Sequence, residues 1–198
     1  MSRLIESIKL FDRKLWNIEY HNERMNRSRR ELFNAEDELD LSLIIKIPEG
    51  LSNNLFKCRV VYTEKILDVE FHPYIPRPVK KLNIVHDDNL DYSYKYEERS
   101  KIQKHLCNAV DSEILIVKNG FVSDTSYSNV VFSDLTDLFT PATPLLKGTK
   151  RASLLDSGKI REKEIRLADL PKYKYVYLIN ALLDIDEELR IPVENIYQ

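Results

Sequence analysis

The chain has 198 residues, of which 43% are hydrophobic, and this is enough to bury a core in one domain or in two small lobes. Its formal net charge of -2 provides no global field that would attract nucleic acid or an anionic membrane surface. Two cysteines, Cys58 and Cys107, are too few for a disulfide framework or a zinc site, and no apolar run reaches the roughly 18–20 residues of a membrane span. The N-terminus lacks the apolar core of a signal peptide, so the sequence predicts a cytoplasmic globular protein.

The first half of the chain predicts strands around one long helix. Residues 2–11 alternate polar and apolar side chains as a strand does. A helical pattern begins at Asn17, with Met25, Ser28, Leu32 and Phe33 on one face. A short amphipathic segment follows and ends at a proline. Three further strands, rich in β-branched and aromatic residues, are predicted within residues 56–63, 65–74 and 79–85.

The second half alternates strands with helices. Apolar residues spaced four apart from Ile102 to Val110 predict a helix that begins at Tyr96, and the pair Asn119-Gly120 predicts a hairpin turn. The pattern then predicts a second hairpin within residues 128–140 and a helix stopped by a glycine within residues 148–159. Residues 162–170 and 173–185 together predict a strand, a short helical turn and a buried strand. The order predicts an α+β fold in two lobes, residues 1–90 and 96–198, with a link at 91–95.

Two residues near the predicted lobe junction and hairpin have side chains that could serve catalysis. Lys95 lies between tyrosines in the stretch DYSYKYEER, where partial desolvation would destabilise the ammonium form and favour a nucleophilic amine. Most lysines, however, are solvated surface residues. Asp124 precedes a strand that is apolar enough to be buried. Considered locally, a role in capping a turn is the simpler interpretation of this acid.

Two further features could bind an anion. A helix start at Gly148-Thr149-Lys150 would offer backbone N–H groups and the positive end of the helix dipole, which suit a phosphate, although every helix has such a terminus. Arg24 adjoins Met25 at the apolar edge of the first helix and could point inward. The remaining arginines of that helix, Arg27, Arg29 and Arg30, are most simply explained as a solvated basic face.

Several stretches occur in an order and spacing that resemble a known family. They read YHNERM, DYSYKYEERS, VSDTSYSNVVF, FTPATPLLKGTKR and LINALLDI, and they extend from about Leu4 to Ile185. Together they resemble the class IV aminotransferases, the fold-type IV group of pyridoxal 5′-phosphate (PLP) enzymes. This group includes the branched-chain and D-amino-acid aminotransferases and 4-amino-4-deoxychorismate lyase. The resemblance implies a two-lobed fold like that of D-amino-acid aminotransferase, with PLP bound between the lobes.

The resemblance also implies roles for individual residues. Lys95 falls at the position of the lysine that binds the cofactor covalently and acts as general base. Asp124 stands where the family has a glutamate that faces the pyridine nitrogen, and Asn129 is the asparagine of the same signature, with a structural role. The cofactor phosphate is assigned to Arg24, to the backbone N–H groups of Thr149 and Lys150, and to the segment containing Asn180.

This sequence departs from the family pattern at two places. Asp124 is one methylene shorter than the family's glutamate, so either the backbone lies closer to the ring or a water intervenes. The N-terminal strand and glycine-containing loop of longer relatives have no counterpart before the segment LIESI. We therefore expect a shortened N-terminal lobe, with consequences for the substrate side of the pocket. Relatives are homodimers, and the resemblance implies the same assembly here.

Three functions follow from these observations. The first is a lyase that converts aminodeoxychorismate to pyruvate and p-aminobenzoate, which the stretch INALL favours. The second is an aminotransferase that acts on branched-chain or D-amino acids. In either case the substrate resembles an amino acid, and Arg59 could bind its carboxylate, unless this arginine simply lies on the exposed face of a strand. The third is a binding protein without catalytic activity, with the basic run RMNRSRR as a nucleic-acid patch; the absence of aromatic residues in that run and the negative net charge disfavour it.

Overall fold

The computed structural model describes residues 2–106, 111–186 and 189–197. The chain divides into two compact units. Unit 1 comprises Met1–Pro76 and Tyr94–Glu98, and unit 2 comprises Arg77–Ser93 and Arg99–Gln198. Among the helices in the described ranges, none is both long enough and apolar enough to cross a membrane.

Unit 1 is an antiparallel sheet with one long helix. Its elements are β1 (Leu4–Phe11), β2 (Lys14–Leu15), α1 (Ile18–Phe33), α2 (Leu41–Ile44), β3 (Phe56–Tyr62) and β4 (Ile66–Pro73). The strands lie in the order β2-β1-β3-β4, and each neighbouring pair is antiparallel. Its core contains the inward-facing side chains Leu4, Ile8, Met25, Cys58, Val60 and Tyr62. The predicted strands and long helix of this half are confirmed.

Helix α1 ends where the sequence supplies a residue that tolerates left-handed backbone. Asn34 has φ 53° and its N–H donates to the carbonyl of Arg29, a common way to end a helix. Met25 and Ser28 are buried as the helical spacing predicts, whereas Leu32 is exposed. The expectation of a wholly solvated basic face is wrong for Arg29, which is only 1% exposed. Its Nη2 donates to Asp37 (2.8 Å), so an internal ion pair compensates the burial.

Unit 2 contains two sheets. Its elements are β5 (Lys81–His86), α3 (Ser100–Gln103), β6 (Ser112–Lys118), β7 (Phe121–Val122), β8 (Asn129–Ser133), β9 (Leu138–Pro141), α4 (Thr149–Asp156), β10 (Arg161–Lys163), β11 (Tyr175–Ile179), β12 (Ile191–Pro192) and β13 (Ile196–Tyr197). Short 3-10 helices span Leu167–Lys172 and Val193–Asn195. The first sheet has the order β10-β9-β8-β11-β12 and the second β13-β5-β6-β7.

Two turns of unit 2 follow the predicted glycine chemistry. Asn119 and Gly120 both have positive φ, 51° and 78°, and join β6 to β7 as a two-residue hairpin. Gly158, with φ 68°, follows the C-terminus of α4 as expected. The buried strand predicted near the C-terminus is β11, which pairs with β8.

Two predictions about the middle of the chain differ from the structure. A helix beginning at Tyr96 is wrong: α3 is a single turn, and Tyr96 forms a β-bridge with Leu4 and packs against the core of unit 1. Val110, the last residue of the predicted helix, lies outside the described residues. The predicted lobe boundary at residue 90 also differs from the observed division. Strand β5 belongs to unit 2, because it pairs in parallel with β6.

Candidate cofactor site

Asp124 is a buried hydrogen-bond acceptor two residues after the end of β7. It is 5% exposed; its Oδ1 accepts a hydrogen bond from Asn129 Nδ2 (2.8 Å) and its Oδ2 accepts one from the backbone N–H of Leu146 (3.0 Å). Burial raises the pKa of this carboxyl to about 6, although the bonds from Leu146 and Asn129 act in the opposite direction. The side chain therefore belongs to the interior of unit 2, and its hydrogen bonds go to Asn129 and Leu146.

Asn129 connects this acid to the start of α4. Its Nδ2 also donates to the carbonyl of Leu146 (2.9 Å), and its Oδ1 lies 2.0 Å from the place where a Cβ would stand on Gly148. Only glycine fits at that position, since real Cβ atoms do not approach other atoms so closely. Asp124, Asn129 and Gly148 therefore form one packed group, which agrees with the structural role predicted for Asn129.

Helix α4 begins at this group. Gly148 is its N-cap residue and offers no side chain to the first turn, while Thr149 and Lys150 are buried. Lys150 Nζ donates to Asp184 (2.6 Å), so its side chain is engaged within the unit. Any contact of Thr149 and Lys150 with a phosphate through their backbone N–H groups would use the positive end of the helix dipole.

Asn180 closes a tight turn after β11. Its Oδ1 accepts hydrogen bonds from the backbone N–H groups of Leu182 (2.8 Å) and Leu183 (3.0 Å). Its Nδ2 donates to Ser128 Oγ (3.1 Å), next to Asn129 in the chain. Unit 2 thus brings the predicted residue Asn180 to the segment that also positions Asp124.

Lys95 and Arg24, the other two predicted cofactor residues, lie in unit 1. The carbonyl of Lys95 accepts a hydrogen bond from the N–H of Ile5 on β1 (2.9 Å). The flanking Tyr94 and Tyr96 are partly buried and pack against the core of unit 1. Arg24 is 6% exposed and points inward. Its Nε donates to Glu6 Oε1 (2.9 Å) and its Nη2 donates to Glu6 Oε2.

Glu6 and His21 complete this cluster and were not found by sequence reasoning. His21 Nδ1 lies 2.6 Å from Glu6 Oε2, and both side chains are fully buried. Burial lowers the pKa of His21; Glu6 raises it, and the charges of Arg24 and Lys95 lower it further. The electrostatic influence of Lys95 on His21 indicates that the lysine lies near the cluster. The sequence does place Glu6 on the same face of β1 as Leu4 and Ile8, because side chains two residues apart on a strand point to the same side. A charged residue on that apolar face was the signal that could have identified it.

Arg59 is held by acids of its own unit. Its Nη1 donates to Glu70 (2.8 Å) and its Nη2 donates to Glu97 (2.5 Å), with the side chain 23% exposed. These two ion pairs link β3 to β4 and to the segment containing Lys95. Binding of a substrate carboxylate by Arg59 stays a prediction, and any such binding would have to compete with Glu70 and Glu97.

The residues present suit PLP in their chemistry. A buried carboxylate with a raised pKa would be stabilised in its charged form by a protonated pyridine nitrogen. A buried arginine and a glycine-capped helix start are groups that bind phosphate. Among the described residues, by contrast, no group of three or more His, Cys, Asp or Glu side chains could hold a metal ion.

Comparison with known proteins agrees with this chemistry. Residues 96–186 match the model of the family described as amino-transferase class IV. An uncharacterised protein of Haemophilus influenzae is 34% identical over 189 residues, a match that covers 92% of this chain and 98% of the relative. A crystal structure from Haemophilus somnus, of a candidate 4-amino-4-deoxychorismate lyase, is 31% identical with a TM-score of 0.79; the match covers 92% of this chain and 97% of that one.

The fold is shared more widely. A PLP-bound structure of a hypothetical aminotransferase from Mycobacterium tuberculosis has a TM-score of 0.75 at 19% identity, over 98% of this chain and 81% of that chain. At this identity the likeness shows the fold alone. The family match and the whole-length relatives place the protein among the fold-type IV enzymes. The chain belongs to the class IV aminotransferase family and is a PLP-dependent enzyme.

Proposed function

We propose that this protein is a PLP-dependent lyase that acts on 4-amino-4-deoxychorismate, releasing pyruvate and forming p-aminobenzoate. The observation that carries the proposal is the whole-length similarity to the Haemophilus somnus protein, itself a candidate for this activity. The turn formed by Asn180 supports the same choice, because its sequence Asn-Ala-Leu resembles the one that the lyase branch of the family often has.

The covalent and proton-transfer roles are assigned to Lys95. Bound PLP supplies an electron sink for the bond that breaks at the substrate. Lys95 Nζ would hold the cofactor covalently, and the same amine would be placed to accept the proton from the substrate carbon that bears the amino group. The hydrogen bond from Ile5 to the Lys95 carbonyl fixes the backbone from which this side chain extends.

Asp124 is assigned to the pyridine nitrogen. An ionised carboxylate beside this nitrogen keeps it protonated, which the electron sink requires. In unit 2 the two oxygens of Asp124 are held by Asn129 and Leu146, so the carboxylate plane is fixed before any ligand binds. A fixed acceptor aligns the ring without the entropy cost of ordering a mobile side chain.

The phosphate is assigned to groups from separate parts of the chain. Arg24 would supply a charged guanidinium, and the start of α4 would supply the N–H groups of Thr149 and Lys150. The turn closed by Asn180 is assigned to the same anion. Several contacts on one phosphate would hold the ring in one orientation, which lets the breaking bond align with the ring's π system.

Two parallel reactions test the proposed activity. The purified protein is incubated with 4-amino-4-deoxychorismate and, separately, with an amino acid plus 2-oxoglutarate, and pyruvate and glutamate are assayed. We expect pyruvate from the first mixture and no glutamate from the second, with Lys95→Ala inactive in both. Glutamate from the second mixture without pyruvate from the first would overturn the lyase in favour of an aminotransferase.

The family resemblance also supports an assembly and a location. We infer that the enzyme is a cytoplasmic homodimer with a small amino-acid-like substrate, as the resemblance implies. Light scattering of the purified protein measures the assembly directly. A mass of one chain, about 23 kDa, at micromolar concentration would contradict the dimer.

A further inference from the structure

Glu6 is a charged residue at a position that the strand pattern reserves for the core. It follows Leu4 and precedes Ile8 on the inward face of β1, and its side chain is fully buried. Burying a carboxylate is costly unless charged or hydrogen-bonding partners surround it. An apolar residue would fill this position at no such cost, so the presence of an acid calls for a reason beyond packing.

Its partners are two residues of one helix face. Arg24 approaches with the edge formed by Nε and Nη2, one nitrogen to each carboxylate oxygen, and His21 Nδ1 lies 2.6 Å from Oε2. His21 and Arg24 are three apart on α1 and so project from the same side of the helix. A carboxylate bound to two guanidinium nitrogens fixes both the position and the plane of that group.

The same strand also positions the lysine assigned to the cofactor. Ile5, the neighbour of Glu6, donates its N–H to the carbonyl of Lys95 (2.9 Å), and Leu4 forms a β-bridge with Tyr96. The side chain of Glu6 therefore acts on Arg24, whereas the backbone of its neighbour Ile5 acts on Lys95. Any displacement of the strand would move both residues.

We propose that Glu6 is a positioning residue, which orients the Arg24 guanidinium toward the phosphate of PLP and is itself held by His21. The inference rests on the proposed function, because it requires Arg24 to bind the phosphate. Arg24 then needs a buried acid to hold its guanidinium in place. Glu6 therefore affects the binding of the phosphate group and leaves the binding of the ring unchanged.

The test compares PLP with pyridoxal, which has the same ring and aldehyde but no phosphate. Affinity for each is measured by absorbance titration of the ligand-free protein. Glu6→Gln keeps the shape and removes the charge, and we expect it to weaken PLP binding roughly tenfold, the loss of one charge-assisted contact, while pyridoxal binding is unchanged. Glu6→Asp keeps the charge but shortens the reach, and we expect a smaller loss with the same selectivity for PLP.

A matched control removes the acid from a different buried arginine of the same helix. Arg29 has Nε, Nη1 and Nη2 all bonded within the protein, and Asp37 is its ion-pair partner. Asp37→Asn should leave both affinities unchanged if only the orientation of Arg24 matters. In an Arg24→Gln background, adding Glu6→Gln should cost nothing further. Thermal melts of each variant establish that it is folded at the temperature of the titration.

The outcomes separate this inference from the proposed function. If wild-type protein fails to attach PLP to Lys95 on borohydride reduction, the proposed function fails, and the inference fails with it. If wild-type protein attaches PLP but Glu6→Gln binds both compounds as the wild type does, only the inference is overturned. Equal weakening of PLP and pyridoxal also overturns it, because Glu6 would then serve the stability of unit 1 in general.

Discussion

At the scale of single residues, Asp124 and Glu6 show how partners decide the charge of a buried carboxyl. Both are almost completely removed from solvent. Asp124 receives hydrogen bonds from neutral groups, and burial raises its pKa to about 6. For Glu6, burial also favours the neutral form, but Arg24 and His21 outweigh it and lower the pKa to about 2. The same desolvation therefore leaves Asp124 able to titrate near pH 6 and Glu6 ionised at all but strongly acidic pH.

These shifts predict opposite pH dependences of stability in the cofactor-free protein. The folded state holds the Asp124 proton more tightly than the unfolded state, so the Asp124 contribution is full below the unfolded pKa near 4 and is lost as pH rises to about 6. The Glu6 contribution is full above the unfolded pKa near 4.5 and is lost as pH falls to about 2. Each amounts to about 3 kcal/mol at most.

Urea unfolding at a series of pH values measures both effects. The free energy of unfolding of wild type minus that of Asp124→Asn should fall between pH 4 and pH 6, and the corresponding difference for Glu6→Gln should rise between pH 2 and pH 4.5. Taking differences cancels the other carboxylates. If both differences fell with rising pH, or both rose, the opposite shifts assigned to the two acids would be wrong.

The second prediction concerns the role of Asp124 in turnover. Asp124→Asn keeps the size but removes the charge that would hold the pyridine nitrogen protonated. We expect PLP to bind still through its phosphate, while kcat falls by orders of magnitude. Asp124→Glu, which restores the family's usual residue, should retain much of the activity if the space beside Asn129 and Leu146 admits another methylene. An unchanged kcat for Asp124→Asn would reduce the residue to a structural acceptor for those two donors.

The third prediction concerns the position of the covalent attachment. Reduction of the PLP-loaded protein with borohydride, followed by peptide mapping, should find the pyridoxyl group on Lys95. The half-buried lysine lies close enough to His21 for its charge to matter there, whereas Lys80, Lys81 and Lys101 are surface residues. Label on any of those three lysines would contradict the assignment.

At the scale of secondary structure, the sequence predicted correctly those elements that depend on the backbone preferences of a few neighbouring residues. The Asn119-Gly120 hairpin and the glycine stop after α4 depend on backbone conformations that few residues adopt, and both are confirmed. The helix expected from Tyr96 is wrong because Tyr96 pairs instead with Leu4, a residue far from it in the sequence that local patterns cannot reveal. Glu6 and His21 were missed for the same reason, since their roles appear only when β1 and α1 pack together.

The start of α4 gives the fourth prediction. A Cβ at Gly148 would meet Asn129 Oδ1 at 2.0 Å, so Gly148→Ala must displace the asparagine that holds Asp124. We expect a loss of about 1–3 kcal/mol in the free energy of unfolding, typical of overpacking, and weaker PLP binding. Urea unfolding and absorbance titration measure the two quantities.

Gly158, near the other end of the same helix, provides the matched control. Its φ of 68° disfavours alanine, but no atom lies within 4 Å of an added Cβ. Gly158→Ala should therefore cost about 1 kcal/mol of stability and leave PLP affinity unchanged. Equal PLP affinities for the two variants would show that Asn129 does not connect the helix start to Asp124.

At the scale of the whole molecule, the segment Tyr94–Glu98 belongs to unit 1 although the chain on both sides of it belongs to unit 2. The chain thus enters unit 1 a second time for five residues, with Lys95 among them. Backbone pairing with β1 and the ion pairs of Glu97 hold this short return in place. A division of the sequence at residue 90 could not show this, because the contacts join residues more than thirty positions apart.

The last prediction decides between two roles for Arg59. If Arg59 serves to hold Glu97, then Arg59→Gln and Glu97→Gln should each weaken covalent attachment of PLP to Lys95 severalfold, and the double variant should be no worse than either single one. If Arg59 binds the substrate carboxylate instead, Arg59→Gln should raise KM while Glu97→Gln leaves it unchanged. Arg3→Gln is the control, because Arg3 pairs with the same glutamate (2.7 Å) but is mostly exposed, and exposed ion pairs contribute little. Additive losses of PLP attachment in the double variant would show that the two residues act independently of their ion pair. No loss in any of these variants would show that pairing with β1 is enough to hold the Lys95 segment.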